Sequence, residues 1–302
     1  RFKQRLPDEG YARFCAQNAA WLDDYALFTA LSSHHPDMSW ERWPPELRRR
    51  QPESLTGLQA DLGGHLEDLK IGQYLFQRQW LGLRAYCRER GIRIFGDLPI
   101  YVPFHSTDVW AHPHLFKLDD AGVPLAMSGV PPDYFSADGQ LWGHPVYRWE
   151  AHRHSRYEWW VRRLEHNLAL CDYVRIDHFR GLVAYWEIPA GESTAVNGYW
   201  VTTPVEDFFM ELRRRFVCLP LIVHVPQEQV DGITGDKAHH GKDQKGNGQH
   251  CRNQQAQFFR DIFLHCDPFL PLRGRRSASF KALPPPRLRR RRGHRLTCPL
   301  PA

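Results

Sequence analysis

The sequence predicts an α/β fold built on parallel strands, either an open sheet or part of a barrel. Three observations predict it. A helical stretch closes on Arg88-Glu89-Arg90-Gly91 and is followed at once by an apolar run over about 92–102. A second helical stretch, about 155–171, feeds into the β-branched run that begins at Tyr173. A third, opened by Thr203-Pro204-Val205-Glu206, leads to Leu219-Pro220-Leu221-Ile222-Val223. Helix, short connection, strand, repeated, is the β/α unit, and it places strands at about 92–102, 173–178 and 219–225.

Taken in order, residues 14–31 repeat aromatic and aliphatic side chains at three and four (Trp21, Tyr25, Phe28), which spells a helix with Asp23 and Asp24 alongside. Ser39-Trp40-Glu41-Arg42-Trp43-Pro44-Pro45 breaks it. Its two tryptophans are core plugs or a stacking surface, and the usual placement of large aromatics favours plugs. Phe76, Trp80, Leu83 and Cys87 then mark one face of the next helix. From 103 to 149 no helix or strand pattern persists, and so long a connection in a compact domain is usually functional. It interleaves aromatics with amide, carboxyl and hydroxyl groups in Gly129-Val130-Pro131-Pro132-Asp133-Tyr134-Phe135-Ser136 and Gly139-Gln140-Leu141-Trp142-Gly143-His144-Pro145-Val146-Tyr147. Rings that stack on C–H faces beside groups that bond hydroxyls suit a sugar. An ordinary loop pinned by proline and aromatics is the competing reading. The helix at 155–171 carries Trp160, Leu164 and Leu168 on one face. Thr203 fits an N-cap, with Pro204 at the first helical position and Glu206 three after the cap.

Composition narrows the class. With 302 residues and 42% hydrophobic content the chain can bury a real core. No apolar run of about 18 residues occurs and Arg1-Phe2-Lys3-Gln4-Arg5 lacks the apolar centre of a signal peptide, so no membrane partner and a cytoplasmic location are expected. The seven cysteines are scattered and never form Cys-x-x-Cys, which argues for buried thiols over disulfides or a thiolate zinc site. Of the net +6, ten positive charges and no acid lie in 268–302, leaving 1–267 at −4. Nucleic acid is therefore not an expected partner; such a role would rest wholly on the Pro/Arg-rich tail. His112/His114, His152/His154 and His239/His240 lack an identifiable third ligand, so no metal is expected.

The chemistry concentrates at Tyr173-Val174-Arg175-Ile176-Asp177-His178-Phe179-Arg180-Gly181. Parallel sheets place reactive groups at the carboxyl ends of their strands, and here a carboxylate sits between two arginines beside a histidine. Nearby cations favour the charged form of a carboxylate, which makes Asp177 a candidate nucleophile. A structural Arg–Asp ion pair is the alternative.

Together with Trp21-Leu22-Asp23-Asp24-Tyr25-Ala26-Leu27-Phe28 and Gly96-Asp97-Leu98-Pro99-Ile100-Tyr101-Val102, these motifs resemble, in order and spacing over about 12–223, the 4-α-glucanotransferases, the amylomaltase family of the α-amylase clan. The resemblance implies a (β/α)8 TIM barrel, here partial and incomplete at both ends, with a long inserted substrate-binding loop. It implies α-1,4-glucans as substrates, no cofactor, and segment transfer by a retaining double displacement. Such a reaction needs a nucleophile and an acid/base about 5 Å apart. By the resemblance Asp177 is the nucleophile and Arg175 orients it, while Asp97, Tyr134, Phe135, Trp142, His144 and His178 bind substrate.

The sequence departs from the family at three places. By the resemblance the family's first barrel strands are expected to be lacking, His144 stands where Asn is usual, and Val223-His224-Val225-Pro226 replaces an Ala-Glu-Asp-Leu-Gly segment whose Glu is the acid/base. Residues 226–302 match nothing in the family and read as low complexity. A catalytic-barrel fragment (1–225) with a non-matching disordered tail, poorly stable and inactive, is the expectation. A glucan-binding pseudoenzyme and a hydrolase of the same clan are the alternatives.

Overall fold

A computed structural model of the chain describes residues 9–217, 219 and 221–222. The expectations for the tail, His224 and the His239/His240 pair lie outside these. The chain opens on α1 (Glu9–His34), followed by α2 (Pro45–Arg48), α3 (Pro52–Asp61) and α4 (Gly63–Glu89). β1 (Phe95–Leu98) comes next, then α5 (Thr107–Ala111), β2 (Ala126–Val130) and β3 (Gln140–Pro145). α6 (Trp149–His154) and α7 (Glu158–Leu170) lead to β4 (Tyr173–Ile176), β5 (Ala184–Pro189) and β6 (Tyr199–Thr202), and α8 (Val205–Arg215) to β7 (Leu221–Ile222).

Two sheets result. β1, β4 and β7 pair in parallel in that order, as the β/α reading requires. β3, β2, β5 and β6 form a second, antiparallel sheet. The fold is thus α/β, and neither sheet is closed among the described residues. The stretch 103–149, expected to be one long loop, instead supplies α5 and the β2–β3 hairpin. The pattern was invisible because both strands are short and glycine-bearing, and β2 is completed by β5, some 60 residues on.

The parallel strands alternate cleanly. Leu98, Val174 and Ile176 point into the core, where α7 presents Trp160, Val161 and Leu164. Phe95, Asp97, Arg175 and Asp177 occupy the opposite, open face. Gly91 (φ 71) ends α4 in a Schellman turn, with Ile92 N–H donating to the Cys87 carbonyl (2.9 Å) and Gly91 N–H to that of Arg88 (3.1 Å). Trp40 and Trp43 are fully buried plugs, the Trp40 indole N–H donating to the Phe104 carbonyl.

Two expectations need correction, those for Thr203 and for the cysteines. The row Phe76, Trp80, Leu83, Cys87 lies on α4 as read, and that face does not enter the core. Phe76 is 52% and Leu83 49% exposed, while Tyr74 of the same helix is buried against Tyr11 and Phe14 of α1. Thr203 does not cap α8: its hydroxyl donates to the Leu182 and Val183 carbonyls, which tie the segment after β6 back to the turn after β4. Among the described cysteines only Cys171 is buried; Cys15 and Cys87 are partly exposed.

The antiparallel sheet has no slack at Gly129. A Cβ there would collide with the Gln140 carbonyl of β3 and the Ile188 side chain of β5. Gly129→Ala should therefore lower stability by about 2–3 kcal/mol, the cost of overpacking against backbone, read as a shift in urea midpoint. An unchanged midpoint would show that the two strands can move apart.

Candidate active site

The register of the parallel pair builds the centre. Asp97 and Arg175 are direct Cα partners on β1 and β4, and the Asp177 N–H donates to the Leu98 carbonyl (3.0 Å), which extends the ladder one step past the strand. Side chains at i and i+2 share a face, so Asp97, Arg175 and Asp177 emerge together. Arg175 grips Asp97 with both arms of its fork, Nε to Oδ1 at 2.9 Å and a terminal NH2 to Oδ2 at 2.6 Å. The same NH2 reaches Asp177 Oδ1 at 3.3 Å. Its hydrogen bonds to Asp97, more than the charge of Asp177, raise the Arg175 pKa further above its ordinary value. Asp177 is left 58% exposed and open to a ligand.

The chain turns sharply just after Asp177. His178 adopts a left-handed conformation (φ 48), strained for a residue with a Cβ, and a 3-10 turn over Phe179–Leu182 follows. The turn lays the His178 ring edge-on against Trp142, centroids 4.8 Å apart. Burial first, and the Arg180 charge second, push the His178 pKa below its ordinary value, with Asp177 pulling the other way. The ring beside Asp177 thus favours its neutral form.

Trp142 arrives from β3 through a bulge. The β2–β3 register slips between Met127, opposite Pro145, and Gly129, opposite Leu141, and Gly143 at its middle takes φ 73. A bulge bends its strand and re-aims side chains, and glycine permits the positive φ at no steric cost. The Trp142 N–H donates to Gln140 Oε1 (3.0 Å), and its ring also meets Tyr101, which stacks on Tyr147. Gln140 and Tyr101 lay within quoted motifs but were not singled out as site residues; the indole contacts that mark them become visible only once the hairpin is folded. His144, two residues past Trp142, is half-buried, and burial lowers its pKa.

Asp97, Arg175, Asp177, His178 and Trp142 thus come together, with His144 on the same strand as Trp142. Tyr134 and Phe135 do not join them: they pack on each other at a loop tip, 97% and 93% exposed, over a turn in which Asp133 accepts from the N–H groups of Phe135 and Ser136. Among the described residues no group of three His, Cys, Asp or Glu could hold a metal ion, and no helix is long and apolar enough to cross a membrane.

Comparison with known proteins gives the family. The sequence profile of the 4-alpha-glucanotransferase family matches residues 1–224. The chain is 48% identical over 209 residues to a 4-alpha-glucanotransferase of Aquifex aeolicus and 47% identical over 214 residues to one of Thermus thermophilus, matches that cover 69% and 71% of the chain and 43% of each relative. Its structure superposes on that of the amylomaltase from Streptococcus agalactiae in complex with acarbose with a TM-score of 0.68 and 37% identity, covering 74% of the chain and 47% of that protein. The chain spans less than half the length of these relatives, and it belongs to the 4-alpha-glucanotransferase family.

Proposed function

We propose that the described residues are the nucleophile-bearing part of a (β/α)8 barrel that transfers α-1,4-glucan segments between maltooligosaccharide or amylose chains in the cytoplasm. The observation that carries this is the row Asp97, Arg175, Asp177 on one face at the carboxyl ends of neighbouring parallel strands. Closing the barrel would turn that face inward. Asp177 attacks the anomeric carbon of a donor glucose, the bond to the leaving 4-oxygen breaks, and a glycosyl ester forms; the 4-hydroxyl of an acceptor then displaces it. Arg175 aims the attacking oxygen, and Asp97 holds Arg175. Trp142, backed by Tyr101 and His178, supplies an apolar wall that keeps water from the ester. Tyr134 and Phe135, exposed at a loop tip away from Asp177, stack on a remote unit of the glucan in this reading, with His144 as a further polar contact. Residue similarity to a protein solved with acarbose supports an α-glucan ligand.

Departure of the leaving oxygen requires a proton, and the sequence places His224 where the family's acid stands. This chain therefore does not complete turnover on natural glucans. A donor whose leaving group needs no proton separates the two claims. α-Maltosyl fluoride should glycosylate the protein at Asp177, and the ester should persist because no base activates an acceptor. Peptide mass spectrometry should find one maltosyl group on Asp177 in the parent and none in Asp177→Asn. A label on another residue, or none, would overturn the assignment of the nucleophile. Acarbose binding without any label would favour a non-catalytic glucan-binding protein.

A further inference from the structure

Arg180 is a half-buried cation to which the mechanism gives no task. Among the described residues no carboxylate lies within ion-pair distance of it and none of its N–H groups has a hydrogen-bond partner. Burial lowers its pKa. Its guanidinium carbon sits over the Trp200 ring of β6, 3.6 Å from the centroid. Trp200 in turn packs edge to face on Trp186, its direct partner on β5 (5.2 Å), and the Trp186 N–H is fixed by the Ala195 carbonyl (2.8 Å). Cation–π contact of this kind costs the guanidinium none of its in-plane donors.

Arg180 is also close to the reaction centre. Its charge and that of Asp177 act on the same His178 ring from opposite signs, and Gly181, the next residue, lies against that ring. A planar set of N–H donors, seated on Trp200 three residues from Asp177 and left open, suits a hydroxyl-rich ligand. An anion would meet the charge of Asp177 nearby, whereas neighbouring sugar hydroxyls present uncharged acceptors at a spacing the fork can span.

We propose that Arg180 is a substrate-binding residue that donates hydrogen bonds to glucan hydroxyls beside the site of attack, with Trp200 as the positioning residue that holds its plane. The inference rests on the glucan reading above and adds a contact to it.

The test is acarbose affinity by calorimetry. Arg180→Gln should weaken binding by about 10- to 100-fold, the loss of charge-assisted hydrogen bonds. Arg180→Lys should recover little of it, because a point charge cannot replace the fork. Trp200→Leu should weaken it less, and with α-maltosyl fluoride should raise the half-saturating concentration without slowing the saturated labelling rate. A second measurement uses the unaltered protein: acarbose should protect Arg180 from butanedione, followed by peptide mass spectrometry. Undiminished affinity in a folded Arg180→Gln variant, or no protection of Arg180, overturns the proposal alone. No acarbose binding by the parent overturns the glucan reading with it.

Discussion

Arg175→Ala should slow labelling of Asp177 by α-maltosyl fluoride by 10²-fold or more while leaving the protein folded. The guanidinium lies on an open face, so its removal empties no core space. What it removes is the only described cation between two carboxylates. Asp97 and Asp177 would face each other as like charges, and the oxygen that must approach the anomeric carbon would lose its direction. Loss of one aimed electrostatic partner at a reacting centre costs on the order of 10²–10³ in rate. Arg175→Lys should recover only part, since the contacts to Asp97 Oδ1, Asp97 Oδ2 and Asp177 Oδ1 use the fork and a lysine supplies one point. Asp97→Asn should fall between the two, because an amide keeps one acceptor for Arg175. Equal labelling rates in parent and Arg175→Ala would reduce the row of charges to a surface ion pair.

Mild acid should destabilise the fold steeply. His152 of α6 is completely buried, ringed by Tyr147, Trp149 and Trp159, and burial pushes its pKa down to about 3 against the opposing pull of the Leu115 carbonyl. His105, His112, His144, His166 and His178 are also lowered, each with burial as the leading cause. In the unfolded chain these rings take up protons near pH 6.5; in the folded protein they resist. Below pH 6.5 the unfolded state therefore binds more protons, and stability falls as pH falls. His152 alone contributes about 1.4 kcal/mol of loss per pH unit between 6.5 and its folded value of about 3. Urea midpoints measured at pH 7.5, 6 and 5 should drop in sequence, and His152→Phe, which keeps a ring in that aromatic nest, should flatten the slope. A midpoint independent of pH over this range would rule the mechanism out.

The parallel strands were legible because each is announced locally: a helix stops, a glycine or short turn follows, and a β-branched run begins. The register that brings Asp97 beside Arg175 followed from nothing local, yet both residues stood out as charges at strand ends. The antiparallel sheet was not legible. Ala126–Val130 and Gln140–Pro145 contain glycine, serine and proline and alternate poorly, and their burial depends on β5 and β6, whose apolar residues were not recognised as strands. Thr203 misled because its hydroxyl had a tertiary alternative to the helix end. The apolar row on α4 was legible as helical, whereas its exposure was not, since period alone does not say which side a neighbour occupies. Arg180 escaped notice as a binding residue because what marks it, a missing partner and the ring of Trp200 beneath it, has no trace in sequence.

The pairing of β2 with β5 has a consequence for how this protein comes into being. β1 pairs with β4 across a connection that contains α5, the β2–β3 hairpin, α6 and α7, and the sheet that carries Trp142 is completed only when β5 and β6 are laid beside β2, a second closure over some 60 residues. On a ribosome, the strand that leads to Asp177 emerges before β5 and β6. A nascent chain that ends before β5 would carry the charged row with the Trp142 hairpin short of its β5 and β6 neighbours, so the wall beside Asp177 is completed after the β1–β4 pair. Loss of the β5–β6 hairpin would accordingly cost the cleft its shape while leaving the β1–β4 pair in register.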